Sequence, residues 1–363
     1  MSKSNLSLNI DGIAYEGWTA VSVSLSMENL SGSFQLSMTD PDGSGATRIR
    51  PNDPCTVLIN GQIVITGYVD KVTPSFDESS HQLVVTGRDK AGDLVDSSVV
   101  NGTGQYNNQK LDAIIRKVAE PFGINVESKV STKKLETFNV DQGATGLETI
   151  QKLAKKGGFL VISDGKGGIQ ITRSGSESME TALVQGQNIL AANCEYDASK
   201  NYSEYHVKGQ KQGKDTDTVK RIAHNKAIVE NEFVNRYRPL LIIDDGQSDE
   251  TSVKDRARWE ASIRRAKATK AEITVVGWQE NPGTGAIWGI NKLVKVESSL
   301  LGINDMMLIS SVNFTLDENG ELARITVTPP AAYSGIASDK ISKPKGKAAE
   351  KQETNNPYRR SGG

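Results

Sequence analysis

Apolar residues recur at every second position in short runs divided by turn residues, and these runs occupy both ends of the chain. Toward the N-terminus they are Val21-Ser-Val23-Ser-Leu25, Phe34-Gln-Leu36-Ser-Met38, Val57-Leu-Ile59, Ile63-Val-Ile65 and Leu83-Val-Val85. Toward the C-terminus they are Ile273-Thr-Val275, Leu293-Val-Lys-Val296, Met307-Leu-Ile309, Val312-Asn-Phe314 and Ile325-Thr-Val327. A strand turns alternate side chains to opposite faces, so this period gives each run one core face and one wet face. A helix would scatter the same residues around its circumference. Asn60-Gly61 separates two such runs and predicts a tight hairpin, because a type I′ turn needs positive φ at both central residues.

Between the two regions the period becomes helical. Leu111, Ile114, Ile115 and Val118 form one buried stripe, with Asn107 or Asn108 expected as the cap and Pro121 and Gly123 as the stop. Thr145-Gly-Leu-Glu148 has capping-box spacing and opens a second helix, with Leu147, Ile150 and Leu153/Ala154 inward and Gly157-Gly158 at its end. A hairpin follows, Phe159–Ser163 and Ile169–Ile171 around a loop at 164–168. One further helix is expected at about 249–267, capped by Ser248 or Asp249, with Val253, Ala257 and Ala261 on its apolar side.

The expected layout is therefore mainly β with an α+β insertion: a first β-barrel domain over 1–100, a small α/β domain over 101–185, and a second β-barrel domain over 186–335. Residues 336–363 are expected to be a flexible C-terminal tail. Almost nothing apolar follows Ser338, and residues 331–363 carry seven Lys/Arg against three Asp/Glu, too little apolar area to offset the entropy of ordering.

Composition excludes several function classes. With 43 basic and 44 acidic residues the net charge is -1, so no global field draws the chain onto DNA or an anionic membrane. No run approaches the ~18 apolar residues of a membrane span, and Met1–Asp11 lacks the apolar core of a signal peptide, so synthesis in the cytoplasm is expected. Cys55 and Cys194 lie far apart and read as small buried apolar residues.

Catalysis requires titratable groups held together in clusters. His81, His206 and His224 have no metal-ligand spacing. Asp40-Pro-Asp-Gly-Ser-Gly45 begins like a calcium loop, but its twelfth position is Pro51 where a bidentate Glu is needed. Ser131-Thr-Lys-Lys134 fits a serine–lysine pattern without the accompanying motifs. Gly283-Thr-Gly285-Ala-Ile-Trp-Gly289 fits no phosphate loop, and Asp244-Asp245 before a Gly reads as a turn. No catalytic, cofactor-binding or metal-ligating residue is predicted, and no cofactor.

Three stretches carry a resemblance to a known family: Thr145–Arg173; Tyr205-His-Val-Lys-Gly-Gln210 with Arg236-Tyr-Arg-Pro-Leu-Leu-Ile242; and, most specific, Arg258-Trp-Glu260 through Val275-Val-Gly-Trp278 to Ile287-Trp-Gly-Ile-Asn-Lys-Leu-Val294. In these the chain resembles the baseplate hub proteins of contractile-tailed phages, the Mu-like group of the late-control family, up to about Tyr333. The resemblance implies a structural protein of the virion tail, made in the host bacterial cytoplasm, and not an enzyme. It implies a homotrimer in which two tube-like β-barrels per subunit form a ring, joining a hexameric tail tube to a trimeric spike beside other baseplate proteins. DNA would pass through the bore without specific binding. A tail-associated peptidoglycan hydrolase and the hub of a tail-shaped bacteriocin are the alternatives. In the tail, Tyr358, Arg359 and Arg360 are the expected spike-docking anchor, since Tyr and Arg dominate binding hot spots.

Overall fold

The computed structural model describes residues 5–39, 48–78, 81–100, 104–211, 223–232, 234–247, 250–281 and 284–333. The alternating runs become strands of a single sheet of 14 strands. Its path runs Ile189–Tyr196, Thr269–Val276, Gly320–Thr328, Ile303–Asp317, Ala20–Ser26, Ser33–Thr39, His81–Asp89, Gln62–Phe76, Pro54–Ile59, Leu6–Ile10 and Ile13–Tyr15, with Lys292–Ser298 branching from Ile303–Asp317. The joint lies in the middle. Ala20–Ser26 pairs antiparallel with the second half of Ile303–Asp317, from Leu316 opposite Val21 to Ser311 opposite Ser26. The two ends of the chain are thus hydrogen-bonded to each other, and one apolar core runs under both: Val23, Leu36, Val85, Ile273, Phe314 and Ile325 are all fully buried. The chain is mainly β, as the alternation requires.

The turn chemistry is local. Asn60 and Gly61 take φ of 49° and 77° between Ile59 and Gln62. Asp11 and Gly12 do the same, at 48° and 79°, between Ile10 and Ile13.

The insertion opens with a short helix, α1 (Ala91–Asp96), which the apolar pattern does not announce. Next come strand Gln105–Lys110 and α2 (Leu111–Ala119), whose Leu111, Ile114, Ile115 and Val118 are buried as the stripe predicts. Asn107 and Asn108 do not cap it. Both lie in the strand, where Asn107 faces Thr137 of Lys134–Asn139, and the helix starts after an extended Lys110 without a side-chain cap. Ladder bonds to a partner distant in sequence outweigh the local cap. Gly123, at φ 63°, closes a 3-10 turn over Glu120–Phe122.

The capping box at α3 (Gly146–Gly157) forms in full. The Thr145 N–H donates to Glu148 Oε2 at 2.9 Å, and the Glu148 N–H to Thr145 Oγ1 at 3.2 Å. The hairpin Leu160–Ser163 with Gly168–Thr172 is antiparallel as expected, and Asn125–Ser128 joins it in parallel. Ile114, Ile150, Leu153, Ile169 and Ile171 build a separate core here.

A third unit is a small sheet in the order Ala223–Glu230, Glu204–Lys211, Pro239–Gln247. Helix α4 (Glu250–Lys267) packs on one side of it through Val253 and Ala257 against Val207 and Ala227. The residues proposed to cap α4, Ser248 and Asp249, lie outside the described residues.

Candidate functional site

Among the described residues, those that resembled catalytic motifs do not converge. Ser131 is exposed between strands. His206 lies 2.6 Å from Glu204, two residues before it on the same strand. The turn Asp40–Gly45 lies outside the described residues, as do the side chains of His224 and Asp244 and the whole of Tyr358, Arg359 and Arg360. Among the described residues no three His, Cys, Asp or Glu side chains gather as metal ligands would. The Cys55 thiol is pushed up to about 12, first by burial and then by Asp70, which leaves it protonated and inert.

Buried polar groups gather instead where the units meet. Asp89 ends a strand of the first β region and is 2% exposed. Its carboxylate accepts the Gly32 N–H at 2.8 Å and the Ala91 N–H, at the start of α1, at 3.0 Å. The hydroxyls of Ser163, on the insertion hairpin, and of Ser31 lie near it and favour its charged form. Burial still outweighs these bonds and holds the carboxyl above its ordinary range.

Asn291 does the equivalent work where the insertion ends. Its Oδ1 accepts the Gly175 N–H at 2.9 Å, its Nδ2 donates to the Arg173 carbonyl at 3.0 Å, and its backbone N–H donates to Ile309 at 2.9 Å. Asn tolerates the left-handed φ of 60° found there better than most residues. Close by, the buried Glu280 carboxylate accepts the N–H groups of Glu180 and Thr181 at 2.8 and 2.7 Å. Gln279 receives Asn60 Nδ2 at 2.9 Å, tying the tip of an N-terminal hairpin to the C-terminal region. Trp278, in the same stretch, is buried and donates its indole N–H to the Thr315 carbonyl at 3.1 Å.

Helix α4 is held by charge. Glu260 is 7% exposed and is clamped by Arg256 at 2.6 Å and Arg264 at 3.1 Å, with the Arg256 guanidinium 4.6 Å from the Trp259 ring centre. At the end of α4, Lys267 lies over Tyr333, whose hydroxyl donates to Glu28 at 3.0 Å. Burial, with Glu28 adding to it, raises that phenol. The carboxylates of Asp89, Glu280 and Glu260 are thus each held by N–H donors or guanidinium groups, while the Nε atoms of Arg256 and Arg264 are buried with no partner among the described residues.

Exposed apolar side chains sit elsewhere. Strand Ile189–Tyr196 ends the sheet, pairs along its length with Thr269–Val276 and, among the described residues, has on its other side one bridge, from Ile189 to Gln185; Leu190 is 61% exposed. Leu300, Tyr237, Leu241 and Ile243 are exposed too. Apart from the apolar run Leu240–Ile243, no local pattern announces these surfaces, since exposure is decided by which elements cover which.

Known proteins match this architecture along most of the chain. Residues 5–89 match the model of the Mu phage baseplate assembly protein GpP-like N-terminal domain, residues 91–173 that of the baseplate hub protein gp44-like second domain, and residues 249–335 that of the Mu phage baseplate assembly protein GpP fourth domain. The baseplate hub protein gp44 of Escherichia phage Mu is 32% identical over 339 residues, covering 90% of this chain and 88% of that protein. The 43 kDa tail protein of prophage MuSo2 from Shewanella oneidensis superposes with a TM-score of 0.80 at 36% identity, over 91% of this chain and 99% of its own. A tail protein from Neisseria meningitidis MC58 shares the fold, with a TM-score of 0.77 at 19% identity over 92% and 99% of the two chains. Two of the three stretches that suggested the family fall inside matched segments, and Tyr205–Ile242 falls between them. On the identity and coverage of the phage Mu relative, the chain belongs to the family of Mu-type phage baseplate hub proteins.

Proposed function

We propose that three copies of this chain form the hub ring of a contractile tail, joining a six-fold tail tube to a three-fold spike during tail assembly and genome delivery, without catalysis. The observation that carries this reading is the pairing of Ala20–Ser26 with Ile303–Asp317. It makes the two β regions one continuous sheet, so that a single subunit spans two neighbouring places of a six-fold ring. Three such subunits close the ring by head-to-tail contacts between unlike edges. The exposed strand Ile189–Tyr196 at one end of the sheet is the kind of edge that such contacts cover. Each β region closes as a tube-like barrel within the ring, and DNA passes through the bore without specific binding. Sedimentation of the purified protein at micromolar concentration is expected to give a trimer; a monomer throughout that range, with spike added, argues against the ring.

The spike partner is taken up by the C-terminal segment. Residues 338–363 bind it, with Tyr358, Arg359 and Arg360 as the anchor, because an aromatic ring and two guanidinium groups are the strongest contact formers in an otherwise polar stretch. Deleting 338–363 is expected to leave the hub folded and to reduce spike incorporation into tails on the order of tenfold, the factor of one lost hot spot. Undiminished spike incorporation would sink the assignment.

A further inference from the structure

The small sheet that carries α4 is covered by that helix on one side, where Val207 and Ala227 are buried. Alternation turns the residues between them to the opposite side. There Ile228, Leu241 and Ile243 are 47%, 54% and 61% exposed. Strand pairing sorts this outer face into three rows. At one end Glu204 stands between Glu230 and Pro239. In the middle His206, which lies against Glu204, stands between Ile228 and Leu241. At the other end Lys208 stands between Lys226 and Ile243. The rows are thus acidic, apolar and basic in that order. Within the end rows, glutamate is set directly opposite glutamate and lysine opposite lysine, an arrangement that costs a lone sheet stability.

A face ordered in this way is complementary to itself. When a second copy is turned over about a two-fold axis running across the strands at the middle row, each end row lies on the opposite end row. Glu204 then meets Lys208, Glu230 meets Lys226 and Pro239 meets Ile243, each pair twice. Ile228 and Leu241 meet their own counterparts at the centre. The strands of the two copies stay aligned, as in sheets that stack face to face about 10 Å apart. An apolar centre between charged rims is the anatomy of a protein contact, and the like-charge pairs of the lone sheet are relieved by it. Three strands and three rows span roughly 14 by 20 Å, a fraction of the ~800 Å² that each partner buries in a standard interface. The contact is therefore weak and reversible.

We propose that the outer face of this sheet binds the same face of a second copy of the chain through a two-fold contact. A two-fold contact has no place inside a head-to-tail ring of three, so it joins one ring to another or, where no ring forms, one free subunit to another. Sedimentation of the full chain from about 1 µM to about 0.5 mM, a range that spans weak association, should show the particle mass doubling at the upper end. Glu230→Lys sets lysine against Lys226 at two places, and Lys226→Glu sets glutamate against Glu230. Each change alone should weaken the doubling on the order of tenfold or more, and the two together should restore it, because the facing charges are then exchanged and again opposite. Both positions are exposed, so the melting curves should match the wild type. If either charge variant fails to fold, Leu241→Lys at the centre of the face should abolish the doubling. A wild type that never doubles, single variants that double as it does, or a folded double variant that does not recover each overturn the proposal. The mass before doubling, three chains or one, reports on the ring alone, so failure of the hub reading leaves this result intact.

Discussion

Replacing Gly67 with Ala is expected to prevent stable folding, at a cost of about 3 kcal/mol or more, the upper end of what overpacking a core does. Gly67 lies opposite Asp89 where Gln62–Phe76 crosses His81–Asp89. A Cβ there would fall inside the van der Waals shell of the Arg88 carbonyl oxygen and 2.5 Å from the Asp89 Cα. Those are backbone atoms, so no rotamer change relieves the contact and the strands must part. Glycine inside a strand often marks such a close backbone approach. Gly289→Ala is the matched control, because its added methyl would meet nothing nearer than the Lys292 side chain at 3.5 Å. Soluble yield and urea midpoints compare the two; a Gly67→Ala protein as stable as the control would show that this crossing can relax.

The second large effect is expected at Asp89. Truncation to Ala leaves the Gly32 and Ala91 N–H groups without their acceptor in a site that is 2% exposed. At about 1–3 kcal/mol for each stranded donor, the loss should be about 3 kcal/mol, read as a lower urea midpoint. The pH dependence has a definite sign. Burial raises the folded carboxyl above its unfolded value, so between those two values the folded state holds a proton that the unfolded chain has released. Stability from this group is complete below the ordinary carboxyl range and is lost as pH rises through the raised value. An Asp89→Asn protein lacks that titration. The wild type's advantage over it should therefore shrink as pH climbs from the ordinary carboxyl value, and a gap that widens instead would mean the hydrogen bonds to the carboxylate outweigh burial.

What could be read from the sequence was what is decided locally. Val21, Val23, Phe34 and Leu36 declare their face because alternation is a property of a few adjacent residues, and Thr145 with Glu148 declares a helix start because both capping bonds close within four residues. Asn60-Gly61 is legible for the same reason. Asn107 was misassigned because its strand depends on Thr137, and no local pattern shows that partner. The joint between Val21–Ser26 and Ser311–Leu316 was invisible on the same ground. The polar ties were hidden more deeply. Asp89, Asn291 and Glu280 stand among many similar residues at loops and strand ends, and only their burial distinguishes them. Trp278 and Trp288 marked the family in sequence, and in the structure both are core residues.

That joint also sets the order of events when the protein is made. Ser22 meets Asn313 across 291 residues of chain. At the ~5–20 residues per second of protein synthesis, Ala20–Ser26 emerges roughly 15 to 60 s before its partner exists. Contacts of such sequence separation form late, after the loop entropy between them has been overcome. Until then the N-terminal strands keep an unpaired edge, and a chain terminated before Ser311 keeps it permanently. The sheet therefore acts as a check on synthesis, since the surface that joins the two halves comes into being only on a subunit translated past Ser311–Leu316.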